Sequence, residues 1–159
     1  LKKILLLSWA YLSELLLAFL IVVFSSFTLE KHNNIIVFLF GKTDLIVGGV
    51  IAILCAKIGV FIYHMTLTAT EFGNYLSYVR ADYNYKNSFL YSIIMDIVCI
   101  AVIIGWAVTK EVLIFRFALF FVAITVLTLL TTLQNIFEIV RFNNAFNRKI
   151  KQLDSGENG

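Results

Sequence analysis

A chain of 159 residues that is 60% hydrophobic and only 14% charged cannot hide its apolar surface in a water-soluble core. Its mean hydropathy of +0.90 excludes an ordinary soluble domain. Its net charge of +3 comes without the basic-plus-aromatic pattern of a nucleic-acid module, so nucleic-acid binding is not expected. An α-helix needs roughly 20 apolar residues to cross the hydrocarbon core. Four such runs predict an all-α integral membrane protein: a single four-helix domain over 1–152, with spans at about 4–27, 45–67, 89–108 and 112–140. The fourth helix is expected to extend into the cytoplasm, and 153–159 to form a disordered tail.

The first run follows Lys2 and Lys3, as a secretory signal would. It is too long for one, carries Glu14 in its middle and ends without a small-residue cleavage site, so a retained helix is expected. Ala10 and Ala18 flank Glu14 at i−4 and i+4, which lets another helix come close, and Tyr11 could bond its carboxyl. The loop that follows, Thr28 to Asp44, holds a short apolar piece, Ile35 to Phe40, too short to span and expected either at the membrane interface or packed on the helix tops.

The second run places Lys57 near mid-membrane and His64 two turns further on the same face. Gly48, Ala52, Ala56 and Gly59 form a small-residue ladder suited to close helix contact or self-association. Beyond Thr66 an aromatic stretch begins. Phe72, Tyr75, Leu76 and Val79 recur at i, i+3, i+4, i+7, which predicts either a continuation of helix two or a bend into an interfacial amphipathic helix.

The third run carries Asp96, predicted to join Glu14 and Lys57 in an intramembrane charge cluster, with His64 near the depth of Asp96. A fixed ion pair, a proton or ion relay and a watery vestibule all remain open for this cluster. Trp106, near the end of the run, suits the headgroup zone. A very short connection at Thr109 to Glu111 then makes helices three and four an antiparallel hairpin.

The fourth run includes Arg116 and a polar seam at Thr125, Thr128, Thr132 and Asn135, alternating in steps of 3 and 4. Such a seam must face the bundle or an axis between subunits. The helical pattern continues to Lys151, about 60 Å of helix, twice the hydrocarbon thickness. Basic residues gather at Lys2 and Lys3, at Arg80 and Lys86, and at Arg141, Arg148, Lys149 and Lys151, which predicts both termini on the cytoplasmic side of an inner membrane.

Cys55 and Cys99 lie inside predicted spans and are expected as packing residues. His32 and His64 lack a second ligand at i+3 or i+4, so no metal or cofactor is expected. No nucleophile elbow, phosphate loop or zinc motif occurs, so no catalytic residue is assigned. Glu14 resembles the membrane glutamate of the small multidrug exporters, but their proline and glycine pattern is absent here.

In size, four-helix layout, cytoplasmic termini and lack of catalytic motifs the chain resembles the membrane subunit of the bacterial Kiwa anti-phage defence system. The residues carrying that resemblance are the FGNYLSYVR stretch at Phe72 to Arg80 and the RFNNAFNRK tail at Arg141 to Lys149. It is architectural, and it implies a membrane sensor that recruits a cytoplasmic effector. The expected function is that of a non-enzymatic, homo-oligomeric membrane subunit. It would engage a cytoplasmic protein through Phe72, Tyr75, Tyr78, Arg80, Arg141, Arg148 and Lys149. A small channel or proton-coupled transporter using Glu14, Lys57 and Asp96 is the first alternative. A membrane immunity protein against a pore-forming toxin is the second.

Overall fold

The computed structural model describes residues 12–24, 38, 41–79 and 81–156, with side chains as far as 152. Nearly all of these residues are helical, and no strand occurs among them. We number the helices α1 (Leu12–Phe24), α2 (Thr43–Thr68), α3 (Glu71–Tyr78), α4 (Ala81–Thr109) and α5 (Val112–Gly156). Three of them, α2, α4 and α5, are long and apolar enough to cross a membrane; α1 is a shorter apolar helix. The ends of the predicted first span, the Ile35 to Phe40 piece apart from Phe38, and Lys2, Lys3, Ala10, Tyr11, His32 and Arg80 lie outside the described residues.

Two predicted boundaries move. Helix three was expected from residue 89 and starts at Ala81. The residues added, among them Asp82, Asn84 and Lys86, are too polar for a hydropathy run, yet no glycine or proline interrupts the backbone before Gly105. Helix four reaches Gly156, beyond the predicted boundary at 152, because it too meets no breaker until that glycine. Its 45 residues measure about 67 Å.

The bend after α2 is built by Thr70. Its backbone is extended, and its hydroxyl donates to the Leu67 carbonyl at 2.6 Å and accepts from Gly73 N–H at 3.3 Å, capping α3. Of the two outcomes open for this stretch, the chain takes the bend into a separate amphipathic helix. Phe72 and Leu76 point inward, whereas Tyr75 and Val79 remain exposed. Gly73 is where α3 crosses the end of α2. A Cβ there would overlap the Thr68 backbone, so only glycine fits.

At the opposite end, α4 and α5 join through Lys110, whose φ of 55° is left-handed. Its N–H donates to Trp106 O at 2.8 Å, closing α4. Trp106 itself is buried against Phe115, ring centroids 4.9 Å apart, so it packs the core instead of facing headgroups.

α4 packs chiefly on α5 and on α2. Two apolar clusters result. Val50, Cys99, Ile103, Trp106, Phe115 and Ala118 fill the hairpin end. Leu67, Phe72, Leu76, Phe89 and Ile139 fill the α3 end. Cys99 is thus a core residue, as expected, whereas Cys55 is exposed. Between the two clusters lies a polar layer.

Candidate functional site: a buried polar layer and its seam

Lys57 on α2 is the centre of that layer. Its ammonium lies 2.8 Å from Asp96 Oδ1, 2.8 Å from Thr128 Oγ1 and 3.3 Å from the Thr125 carbonyl. The three donors of a lysine are therefore all used, and by two different helices. Lys57 is 1% exposed and Asp96 0%. Such a pair holds α2, α4 and α5 in one register, because a slip of one residue would strand two charges in an apolar medium.

Glu14 approaches from α1 but does not close on Lys57. It accepts a hydrogen bond from Thr131 Oγ1 at 2.5 Å, one turn from the Thr128 that takes the Lys57 ammonium. The predicted three-residue cluster is therefore a bonded pair with a third carboxylate nearby. His64 does not meet Asp96. Its Nε2 lies 3.0 Å from Asp82 Oδ1, within ion-pair distance though without the alignment of a hydrogen bond. Phe89 and Tyr85 edge against its ring, with centroids at 5.5 and 6.2 Å. Asp82 was hidden from sequence reasoning because it precedes the predicted span.

The threonine seam faces inward. Thr125, Thr128 and Thr132 are buried and Asn135 is partly buried. Its partners run along α4 as rungs. Below Asp96, Ser92 Oγ meets Thr132 Oγ1 at 3.3 Å, Asn135 Nδ2 donates to Ser88 Oγ at 3.0 Å, and Tyr85 OH donates to Glu138 Oε2 at 3.4 Å. The positions step oppositely on the two helices, as an antiparallel pair requires. Of the two destinations open to this seam, the bundle interior is the one realised, and it offers no contact between subunits. Tyr85, Ser88, Ser92 and Asp96 recur at steps of 3 and 4, the same signal that marks the threonines on α5. That periodicity is the clue from which the rungs follow.

Two of the threonines on this seam also bond within their own helix. Thr128 donates to the Ile124 carbonyl at 2.9 Å and Thr132 to the Thr128 carbonyl at 2.8 Å, so these hydroxyls spend their protons on their own helix.

The small ladder lies outward. Gly48, Ala52, Ala56 and Gly59 are all exposed, and a Cβ on either glycine would meet nothing. The expected partner surface is divided. Phe72 is buried, at 2% exposure, and packs inside the chain. Tyr75 is half exposed and stacks on Phe146 of α5, ring centroids 5.5 Å apart. Tyr78 is 87% exposed. Arg141, Arg148 and Lys149 are exposed on the last turns of α5. Among the described residues no group of three or more His, Cys, Asp or Glu side chains is arranged to hold a metal.

No protein-family model matches the sequence, and neither a curated protein nor a solved structure matches the chain.

Proposed function

We propose that this chain is a non-enzymatic subunit of an inner membrane that presents a docking surface to a cytoplasmic protein. The observation that carries the reading is the built structure at the α3 end. α5 is about 67 Å long against a hydrocarbon thickness of about 30 Å, so its last turns stand beyond the bilayer. Phe146 on those turns stacks on Tyr75 and tilts against Phe72, which fixes α3 to α5 instead of leaving a loose loop. Around this contact Tyr78, Tyr83 and Phe142 are exposed, next to Arg141, Arg148 and Lys149. Exposed aromatics beside arginines are the side chains that anchor protein interfaces.

In this reading the first helix completes a set of four spans and both termini face the cytoplasm. Self-association rests on the outward ladder of α2 alone, since the polar seam is used inside the chain. The resemblance to the Kiwa membrane subunit supplies a stimulus class, phage infection, and a partner class, a soluble effector.

Transport through Glu14, Lys57 and Asp96 is the competing reading. The proximity of two carboxylates to one buried lysine favours it. The complete use of the Lys57 donors and the self-bonded threonines weigh against it.

A photo-crosslinking residue at Tyr78 tests the proposal in cells, with the same residue at lipid-facing Ile97 as control. The expected outcome is an adduct to one soluble protein at 78 and none at 97, weakened when Arg148 and Lys149 are both changed to Glu. Equal labelling at both positions would remove the docking surface.

A further inference from the structure

We propose that His64 and Asp82 form a proton-sensitive joint beside α3, in which the neutral imidazole is seated and its protonation parts α2 from α4. His64 stands in the last turns of α2 and Asp82 in the first turn of α4, so their contact brackets the bend and the α3 that lies between them in the chain. The ring is fully buried, with Nε2 3.0 Å from Asp82 Oδ1 and the edges of Tyr85 and Phe89 against it. Neither ring nitrogen has an aligned hydrogen bond, and Nδ1 is as buried as Nε2. A neutral imidazole carries one N–H donor and one acceptor nitrogen, whereas the imidazolium carries two donors. Asp82 stands within reach of one of them. The second would be a charged donor left unmet in the interior, which is the costlier state.

Ionisable groups surround the joint on every helix packed there. On α4, Asp82 is 27% exposed, which gives a proton a path from water, and Lys86 shares its face one turn on. A lysine so placed repels a proton on the ring. Tyr85 donates its hydroxyl to Glu138 of α5. α3 presents Phe72 and Leu76 to the cluster that contains Phe89, with its acid Glu71 exposed. Lys57, two turns back on α2, is committed to Asp96. An unperturbed imidazole titrates at about 6.5, so the seat holds α2 on α4 above that range and is lost as pH falls through it. Control of docking rests on the function proposed above, because α3 carries Tyr78; the joint itself does not.

The test is hydrogen–deuterium exchange of the full chain in detergent at about pH 5.5 and about pH 7.5, on either side of that range and corrected for intrinsic rate. Exchange over residues 66–80 is expected to be several-fold faster at the lower pH, with residues 100–120 at the hairpin end unchanged. His64→Phe, which suits the same aromatic setting without a titrating group, is expected to abolish the difference. Asp82→Asn removes the counter-charge and is expected to widen it. No difference in the wild type, slower exchange in acid, a difference that survives His64→Phe, or one unchanged in Asp82→Asn would each overturn the joint. The Tyr78 photo-crosslink, read at both pH values, separates the joint from docking. Its loss at the lower pH is expected for the wild type and not for His64→Phe. An adduct equal at both values would overturn the control of docking. Absence of an adduct at both would sink the docking reading, while the exchange result still decides the joint.

Discussion

Lys57 shows how one residue organises the interior. Its charge is affordable only because Asp96, Thr128 and the Thr125 carbonyl take all three protons. Lys57→Met therefore strands the Asp96 carboxylate and should destabilise the chain by about 3–5 kcal/mol. Adding Asp96→Leu should recover a large part of that loss in an unfolding titration. Strictly additive effects of the two changes would show that the residues do not act on each other. Gly73 is a second single-residue dependency. Gly73→Ala pushes a methyl into the Thr68 backbone, so α3 must lift off α2. Burial of Phe72 and Leu76 should fail with it, seen as faster proteolysis between residues 66 and 80. A variant as resistant as the wild type would contradict the close crossing. The existence of Lys57, Asp96 and the threonine seam was legible in the sequence, because polar residues inside apolar runs stand out. Which carboxylate takes the lysine was not. Glu14 and Asp96 lie at similar depth, and only the angular placement of α1 and α4 about α2 separates them. The role of Gly73 was also hidden, since a close crossing leaves no mark in hydropathy.

At the scale of elements, α4 and α5 are one antiparallel unit closed at one end by Lys110. A left-handed lysine costs about 1 kcal/mol relative to glycine. Lys110→Gly should therefore raise the thermal midpoint, while Lys110→Val should lower it. Equal midpoints for all three would mean that the turn adopts another backbone. The rungs fix the register. In a background lacking Cys55 and Cys99, the pair Ser92→Cys with Thr132→Cys should oxidise to a disulfide, and Ser92→Cys with Asn135→Cys should not. The reverse pattern would mean that the helices are shifted by about one turn. The helical type and the three long apolar helices followed from apolar run length, but helix ends did not. The start of α4 at Ala81 and the end of α5 at Gly156 lie in polar sequence, where absence of a breaker decides and hydropathy is blind.

For the whole molecule, the polar layer and the exposed end divide the work. Charges sealed between two apolar clusters hold α2, α4 and α5 together, with Glu14 of α1 bonded to Thr131 beside them. The end of α5 and the α3 it pins carry exposed aromatic and basic side chains, which the proposed reading puts outside the bilayer. On the proposed docking reading Lys57 and Asp96 matter for stability and not for the activity itself, whereas transport would use them directly. The most direct measurement is the yield of the Tyr78 photo-crosslink in the Lys57→Met/Asp96→Leu variant, with the Ser92–Thr132 disulfide pair as a check that the helices remain in register. The account predicts an adduct yield close to that of the wild type. Loss of the adduct from a variant that still forms the disulfide would contradict it and place the buried charges in the working mechanism.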